Sequence, residues 1–289
     1  MFERDGYPAG VPCWVDTLQP DPEAAAAFYG QVLGWTFTDR RPAGSASRYL
    51  VARVRGADVA GVGEVPAGRQ VDPVWRTSVW VEDADATAAT VRSAGGSVVA
   101  APFDVLDAGR AAVVADPSGA EFGVWQAGTH RGAQRVNEAG TWNWSGLDTW
   151  DPEGSLAFYE AVFGWEADRM GSGPADPCLW RRPGYGDFLA RTTDPDVRRR
   201  QAAGGAPPGF EDAVAWMTPM TPERFHQDTP ARWGVTFAVD DPDLVAGTAS
   251  ELGGAVVVAP FDVWQARIAV LRDPQGAAFT VSRYVPAGS

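Results

Sequence analysis

The chain has 289 residues, 45% of them hydrophobic and 21% charged, which predicts two globular domains, or one large domain, with a packed core. All 24 basic residues are arginine and 37 residues are acidic, so the net charge is −13. The lack of lysine excludes Schiff-base catalysis and a P-loop lysine, and the acidity disfavours a nucleic-acid partner.

The sequence also carries signals of cellular context. No apolar run approaches the ~20 residues of a membrane span, and the first residues lack the basic and apolar regions of a secretory signal. We therefore expect a cytoplasmic protein without a membrane partner, in which Cys13 and Cys178 are reduced. The abundance of Ala, Gly, Pro and Arg is typical of a GC-rich bacterial genome, such as that of an actinomycete.

The first predicted module starts with a strand at 13–18. Asp21 then offers a helix N-cap and Pro22 suits the first helical position, and the apolar stripe that follows ends at Gly34. Two strands are expected next, at 49–54 and 59–62. The module therefore has the order strand, helix, strands.

The second predicted module repeats this plan. A strand at 77–81 leads to a helix at 85–94, which is ended by Gly95 and Gly96. The remaining strands are expected at 97–101, 111–115 and 122–125. The second module is thus of βαβββ type, and we assign the same plan to the first, for which two of the three later strands are placed.

Internal repeats extend the plan to the second half of the chain. The Asp-Pro-Glu motif recurs at an offset of 130 residues and the Ala-Pro-Phe-Asp-Val motif at an offset of 158. The repeats predict an α+β fold of four βαβββ modules, two per domain. The domains are expected at 1–128 and 141–289, joined by a linker at 129–140, with a long surface loop near 170–215.

The combined motifs resemble the vicinal oxygen chelate superfamily, which includes glyoxalase I, bleomycin-resistance proteins and extradiol dioxygenases. The resemblance is carried by the Asp-Pro-Glu…Ala-Phe-Tyr…Leu-Gly-Trp helix, the pair Gly95-Gly96 and the turn Asp116-Pro117-Ser118-Gly119. It implies that paired modules curl their mixed sheets into open cups, with helices outside and a ligand or metal inside. It also implies an intramolecular pseudo-dimer, so we expect a monomer or a homodimer.

The resemblance implies metal ligands in some members: a His, a His or Gln, and a Glu on set strands. The corresponding positions here are Trp14, Arg76 and Gly123 in the first half and Trp144, Gly234 and Thr280 in the second. None of these is a usual metal ligand. His130 and His226 fall in a predicted linker and a predicted loop, so we expect neither a metal nor a cofactor.

Strand alternation instead places tryptophans and a few carboxylates on the expected cup faces. The candidate ligand-binding residues are Trp14, Asp16, Arg76, Trp80, Trp125, Trp144 and Asp148. Indole faces bind flat aromatic or cationic groups, and carboxylates accept hydrogen bonds from hydroxyl or ammonium groups. By contrast, Trp35, Trp75, Trp165 and Trp233 are expected in the core, and Arg110 and Arg267 in structural ion pairs.

These patterns predict a metal-free protein that binds a small aromatic or polycyclic molecule, with a cationic ligand favoured by the charge of −13. For a protein that binds such a molecule, we expect a role in antibiotic sequestration or an accessory role in natural-product biosynthesis. One alternative is a glyoxalase- or dioxygenase-like enzyme, namely an isomerase, hydroxylase or lyase acting on an oxygenated small molecule. Such an enzyme would either depend on a metal or use Asp16 or Asp148 as general base. Another is an interaction protein whose cups are vestigial. Catalysis itself and the identity of the ligand stay open at this point.

Overall fold

A computed structural model describes residues 3–40, 47–68, 71–171, 173, 175–263 and 265–285. The first half of the chain forms two modules. Module 1 contains β1 (Pro12–Gln19), α1 (Pro22–Leu33), β2 (Thr36–Asp39), β3 (Tyr49–Val54) and β4 (Ala57–Glu64). Module 2 contains β5 (Trp75–Trp80), α2 (Ala84–Ser93), β6 (Ser97–Val105), β7 (Gly109–Ala115) and β8 (Glu121–Ala127).

The second half forms two further modules. Module 3 contains β9 (Trp142–Thr149), α3 (Pro152–Phe163), β10 (Glu166–Arg169), β11 (Cys178–Arg181), α4 (Tyr185–Thr192), α5 (Val197–Ala203), a 3-10 turn (Phe210–Asp212) and β12 (Ala213–Pro219). Module 4 contains β13 (Arg232–Ala238), α6 (Pro242–Glu251), β14 (Ala255–Val263), β15 (Ala266–Arg272) and β16 (Ala278–Tyr284). The predicted α+β class with four βαβββ modules is confirmed.

All four modules share one strand pairing. The first strand pairs in parallel with the last, as β1 does with β4 and β9 with β12. The last three strands pair antiparallel in sequence order, as β2, β3 and β4 do. Each module therefore supplies four strands to one of two mixed eight-stranded sheets and carries its helix on one face.

The segment near 170–215 corrects the expectation of a long loop. It contains β11, α4, α5 and the 3-10 turn, while residues 172 and 174 lie outside the described part of the chain. The Gly- and Pro-rich composition of this segment is typical of a loop, so these short elements were not predicted. The run Arg198-Arg199-Arg200, expected in a solvated loop, lies on α5.

The helix ends follow the sequence signals. The Asp21 carboxylate accepts hydrogen bonds from the backbone N–H groups of Glu23 and Ala24, so it caps α1 as predicted. Gly34 ends the helix in the left-handed region, with φ of 72°. None of the helices in the described ranges is long and apolar enough to cross a membrane.

By its internal contacts the chain divides into two compact units. Unit 1 comprises residues 1–13, 77–132 and 144–233, and thus most of modules 2 and 3 together with Arg232 and Trp233 at the start of β13. Unit 2 comprises residues 14–76, 133–143 and 234–289, and thus most of modules 1 and 4 together with Trp75 and Arg76 at the start of β5. Each unit combines one module from each half of the chain.

A buried carboxylate joins the two modules of unit 2. Asp273 Oδ2 accepts hydrogen bonds from Gln19 Nε2 and the Tyr29 hydroxyl, each at 2.9 Å. Trp75 Nε1 donates in turn to the Tyr29 oxygen at 2.9 Å. The ring of Tyr29 packs among aromatic side chains, namely Phe28, Trp35, Trp75 and Phe279. The Asp-Pro-x-Gly turn of module 4 is therefore an anchor for the helix of module 1.

Unit 1 contains the same arrangement. The Tyr159 hydroxyl donates to Asp116 Oδ2 at 3.2 Å, and Trp233 Nε1 donates to the Tyr159 oxygen at 2.8 Å. Trp165 stacks on Tyr159 at 5.2 Å between ring centroids. The repeated motifs are thus explained by packing, and the four tryptophans expected in the core are all buried.

Two other structural expectations are confirmed. Arg110 bonds to Asp85 and Asp104, and Arg267 makes the equivalent ion pairs in module 4. Cys13 and Cys178 are buried free thiols whose pKa is raised by burial. A protonated, buried thiol is a weak nucleophile.

Candidate functional site

Module 1 presents Trp14 and Asp16 on the sheet face away from its helix. Gln19, on the same strand, bonds to the Asp273 carboxylate that Tyr29 of α1 also contacts, so it lies on the helix side. Side chains alternate along a strand, which places Trp14 and Asp16 on the opposite face. We call this face, in each module, the open face.

The side chain of Tyr49 fills the open face of module 1. A β-carbon added at Gly61 would overlap the Tyr49 hydroxyl, and one at Gly63 would lie 3.1 Å from the Tyr49 ring. Gly61 is also the direct partner of Asp16 in the β1–β4 ladder. The two glycines therefore let the phenol lie against the β4 backbone and reach Asp16.

A chain of hydrogen bonds runs through this phenol. Trp14 Nε1–H donates to the Tyr49 hydroxyl at 2.9 Å, and the hydroxyl donates to Asp16 Oδ2 at 3.1 Å. Burial raises the pKa of Asp16, and the charge of Arg76 and the Tyr49 hydrogen bond oppose that rise. Burial and the Asp16 charge also hold the pKa of Tyr49 well above its usual value. The structure thus brings Trp14, Asp16 and Arg76 together around a neutral phenol.

Trp80 and Trp125 are placed differently. Both are largely buried within unit 1, with exposed fractions of 9% and 8%. Tyr7 lies 6.3 Å from the Trp80 ring, and the Arg131 guanidinium lies 5.5 Å from its centroid. Trp125 donates to the His130 carbonyl at 3.0 Å. The chain itself therefore covers much of both indoles.

Module 3 has an open face of its own, formed by Trp144, Gly146 and Asp148. The Ser155 hydroxyl on α3 donates to Thr149 Oγ1 at 3.1 Å, which fixes Thr149 on the helix side of β9. Residues at even numbers along β9 consequently point away from the helix. Trp144 and Asp148 are both half-exposed there.

Space for at least a small side chain is free above Gly146. Among the described residues, a β-carbon added there would meet only the Trp216 carbonyl oxygen within 4 Å, at 3.6 Å. Trp216 is the ladder partner of Gly146, so its indole lies on the same face. Phe210 lies 5.7 Å from Trp144, with the two rings inclined at 63°. We call the half-exposed Trp144, Phe210 and Trp216 around Gly146 the aromatic floor.

Charged groups lie beside the aromatic floor. Arg232 Nη2 is 3.4 Å from Asp148 Oδ2. Burial raises the pKa of Asp148, and the positive charges of Arg232 and Arg224 oppose that rise. A carboxylate with two guanidinium groups around it therefore forms the rim.

The two open faces are not chemically equivalent. The offset of 130 residues aligns Asp16 with Gly146. Their ladder partners, Gly61 and Trp216, are correspondingly a glycine in module 1 and an indole in module 3. Module 1 thus has a polar face filled by Tyr49, and module 3 has an aromatic face with free space.

Sequence reasoning missed Tyr49, Phe210, Trp216, Arg224 and Arg232. Tyr49 and Trp216 reach the open faces only through strand register, which the sequence does not fix. Phe210 belongs to a segment that was expected to be a loop. The Gly-x-Gly spacing at 61–63 was the one available signal, since alternating glycines on a strand indicate that another group approaches closely.

The positions that the family resemblance aligns with metal ligands do not fit a metal ion. Trp14, Arg76 and Gly123 offer an indole, a guanidinium and no side chain, none of which supplies a lone pair to a divalent cation. Within the described ranges, no three His, Cys, Asp or Glu side chains cluster closely enough to hold a metal.

The sequence profile of the Glyoxalase-like domain matches the chain twice, over residues 14–125 and 144–282. The chain belongs to the glyoxalase-like domain family. Both matches start at the tryptophan of an open face, Trp14 or Trp144. Each match lies within one of the two halves that the repeats indicated.

Relatives of this glyoxalase-like protein match over nearly its whole length. The glyoxylase-like protein CFP32 of Mycobacterium tuberculosis is 37% identical over 289 residues, with 99% of both chains covered. The anthracycline biosynthesis proteins DauV of Streptomyces sp. strain C5 and DnrV of Streptomyces peucetius are 35% identical over 288 residues, covering 95% of this chain and 94% of theirs.

Solved structures share the fold at low identity. The Mn(II)-bound glyoxalase from Novosphingobium aromaticivorans has a TM-score of 0.58 at 16% identity, with 97% of this chain and 85% of that one covered. The 2,3-dioxygenase LapB from Pseudomonas sp. KL28 has a TM-score of 0.59 at 13% identity, with 97% and 95% covered. The predicted resemblance to the vicinal oxygen chelate superfamily is confirmed.

Proposed function

We propose that this protein binds a planar, oxygenated polycyclic molecule on the aromatic floor of module 3. The observation that carries the proposal is the free space above Gly146, flanked by half-exposed indoles. A flat ring system placed there would contact Trp144, Phe210 and Trp216. Each aromatic contact contributes about 0.5–1.5 kcal/mol beyond the area that it buries.

The relatives support a ligand of this class. Two of them are named for anthracycline biosynthesis, and anthracyclines are planar, hydroxylated polycyclic quinones. An accessory role in the biosynthesis of such a natural product, or its sequestration, fits a protein that offers an aromatic surface. Because the residues present do not fit a metal ion, we propose that binding needs none.

A fluorescence titration tests the proposal. A tetracyclic hydroxyquinone is added to the protein while tryptophan emission is recorded, and saturable quenching is expected. The variant Gly146→Val fills the free space and should weaken binding by at least about tenfold, equal to about 1.4 kcal/mol. Gly247→Ala, a substitution at a helical glycine that also has open space around it, is the matched control. Equal quenching of both variants would refute the site.

A second candidate function rests on module 1. Asp16 there is half-buried, hydrogen-bonded by Tyr49 and close to Arg76, which suits a carboxyl that exchanges a proton with an oxygenated substrate. The corresponding activity is that of an isomerase, hydroxylase or lyase. Turnover of a hydroxyquinone, followed by mass spectrometry, should then fail in Asp16→Asn and persist in Asp148→Asn. Unchanged turnover in Asp16→Asn would eliminate this candidate.

A further inference from the structure

We infer that the ligand of module 3 carries an ionised acidic group, which lies at the rim against Arg224 and Arg232. The inference rests on the proposed function and specifies the chemistry of its ligand. It departs from the cationic ligand that the overall charge favours.

Arg232 is available to a ligand. Its side chain is 52% exposed, and Nη2 is 3.4 Å from Asp148 Oδ2. That separation exceeds the about 2.7–2.9 Å of a charge-assisted hydrogen bond, so Asp148 does not hold the guanidinium tightly. The N–H groups of the Arg232 guanidinium can therefore donate hydrogen bonds to a second anion.

Arg224 adds a second positive charge at the same place. It is exposed, and it is close enough to Asp148 to lower the pKa of that carboxyl. Asp148 with the two arginines leaves the rim with one net positive charge, although the chain as a whole has −13. A cation entering the rim would meet both guanidinium groups, whereas an anion would be attracted by them.

The arginines of the neighbouring segment differ from this pair. Arg198 on α5 bonds to Asp187 at 2.7 Å and to Glu211 at 2.9 Å. Its charge is thus neutralised by two carboxylates of the chain. The position in the first half that is equivalent to Arg232 is the uncharged Val74.

The chemical class is therefore a planar aromatic acid, ionised as a carboxylate or as an acidic hydroxyl. Three probes of similar shape separate charge from stacking: anthraquinone-2-carboxylate, its neutral carboxamide and the cationic 2-aminomethyl derivative. We expect the carboxylate to bind about tenfold tighter than the carboxamide, and the amine to bind weakest. Raising the salt from about 0.05 M to about 0.5 M should shrink the difference.

Variants assign the preference to the rim. In the double variant Arg224→Gln/Arg232→Gln the carboxylate and the carboxamide should bind equally, while Arg199→Gln, which removes an exposed charge on α5, should keep the preference. Titrating 2-hydroxyanthraquinone across the pKa of its own hydroxyl shows whether a phenolate is also accepted. Equal affinities for all three probes, or tighter binding of the amine, would overturn the inference and leave the proposed function intact. Failure of all three to bind would overturn both.

Discussion

The Tyr49 hydroxyl donates a hydrogen bond to Asp16 across 3.1 Å, linking β3 to β1 on the open face of module 1. The same oxygen accepts the indole N–H of Trp14, which is 4% exposed. Tyr49→Phe removes both of these bonds. We expect a loss of about 1–3 kcal/mol in the free energy of unfolding, measured with urea. A loss below about 0.5 kcal/mol would show that the bonds do not form.

The pH dependence of stability should report the burial of Asp16. Its pKa is raised in the folded protein, so ionisation of its carboxyl is less favourable in the folded than in the unfolded protein. The stability contributed by the neutral carboxyl is fully present below the unfolded value of about 3.9 and is lost as the pH rises through the raised folded value.

Comparison with Asp16→Asn isolates this effect. The stability of the natural protein relative to the variant should be greatest near pH 3.5 and should fall as the pH rises to 7. Urea unfolding at a series of pH values measures the difference. A difference that grows with pH would mean that Arg76 and Tyr49 outweigh burial.

A matched pair of glycines tests the difference between the open faces. An added β-carbon at Gly61 would overlap the Tyr49 hydroxyl, whereas one at Gly146 would meet no atom closer than 3.6 Å within the described structure. Gly61→Ala should therefore cost about 1–3 kcal/mol and Gly146→Ala less than about 0.5 kcal/mol. Thermal unfolding of the two variants measures this. Equal costs would mean that Tyr49 does not lie over Gly61.

The buried carboxylate of unit 1 is predicted to be essential for stability. Asp116 accepts hydrogen bonds from the Tyr159 hydroxyl and from the backbone N–H groups of Ser118 and Ala120. Asp116→Ala leaves these donors unpaired and should cost more than about 3 kcal/mol. Asp262→Ala, which removes an exposed partner of Arg267, should cost less than about 1 kcal/mol.

Much of the fold could be predicted because its signals are local. The cap at Asp21, the left-handed Gly34 and the alternation of β5 depend on residues a few positions apart. The repeat offsets then extended the two modules of the first half to the second half, which gives four modules. Short elements with weak local signals, such as α4 and α5, were missed because Gly and Pro dominate their surroundings.

The candidate site could be predicted only in part. Trp14, Asp16, Trp144 and Asp148 follow from alternation within one strand, and their placement on open faces needs no knowledge of neighbours. The contacts of Tyr49 depend on which residue of β3 stands opposite Gly63, and register is a property of the folded sheet. Register is also needed to see that Gly61 in module 1 corresponds to Trp216 in module 3, because the two residues are matched as ladder partners of β1 and β9.

Isothermal titration calorimetry with the tetracyclic hydroxyquinone tests the central claim most directly, because it counts the sites. Binding on the aromatic floor predicts one ligand per chain, lost in Gly146→Val and retained in Tyr49→Phe. Two ligands per chain, or one ligand that survives Gly146→Val but is lost in Tyr49→Phe, would contradict the assignment of the binding site to module 3.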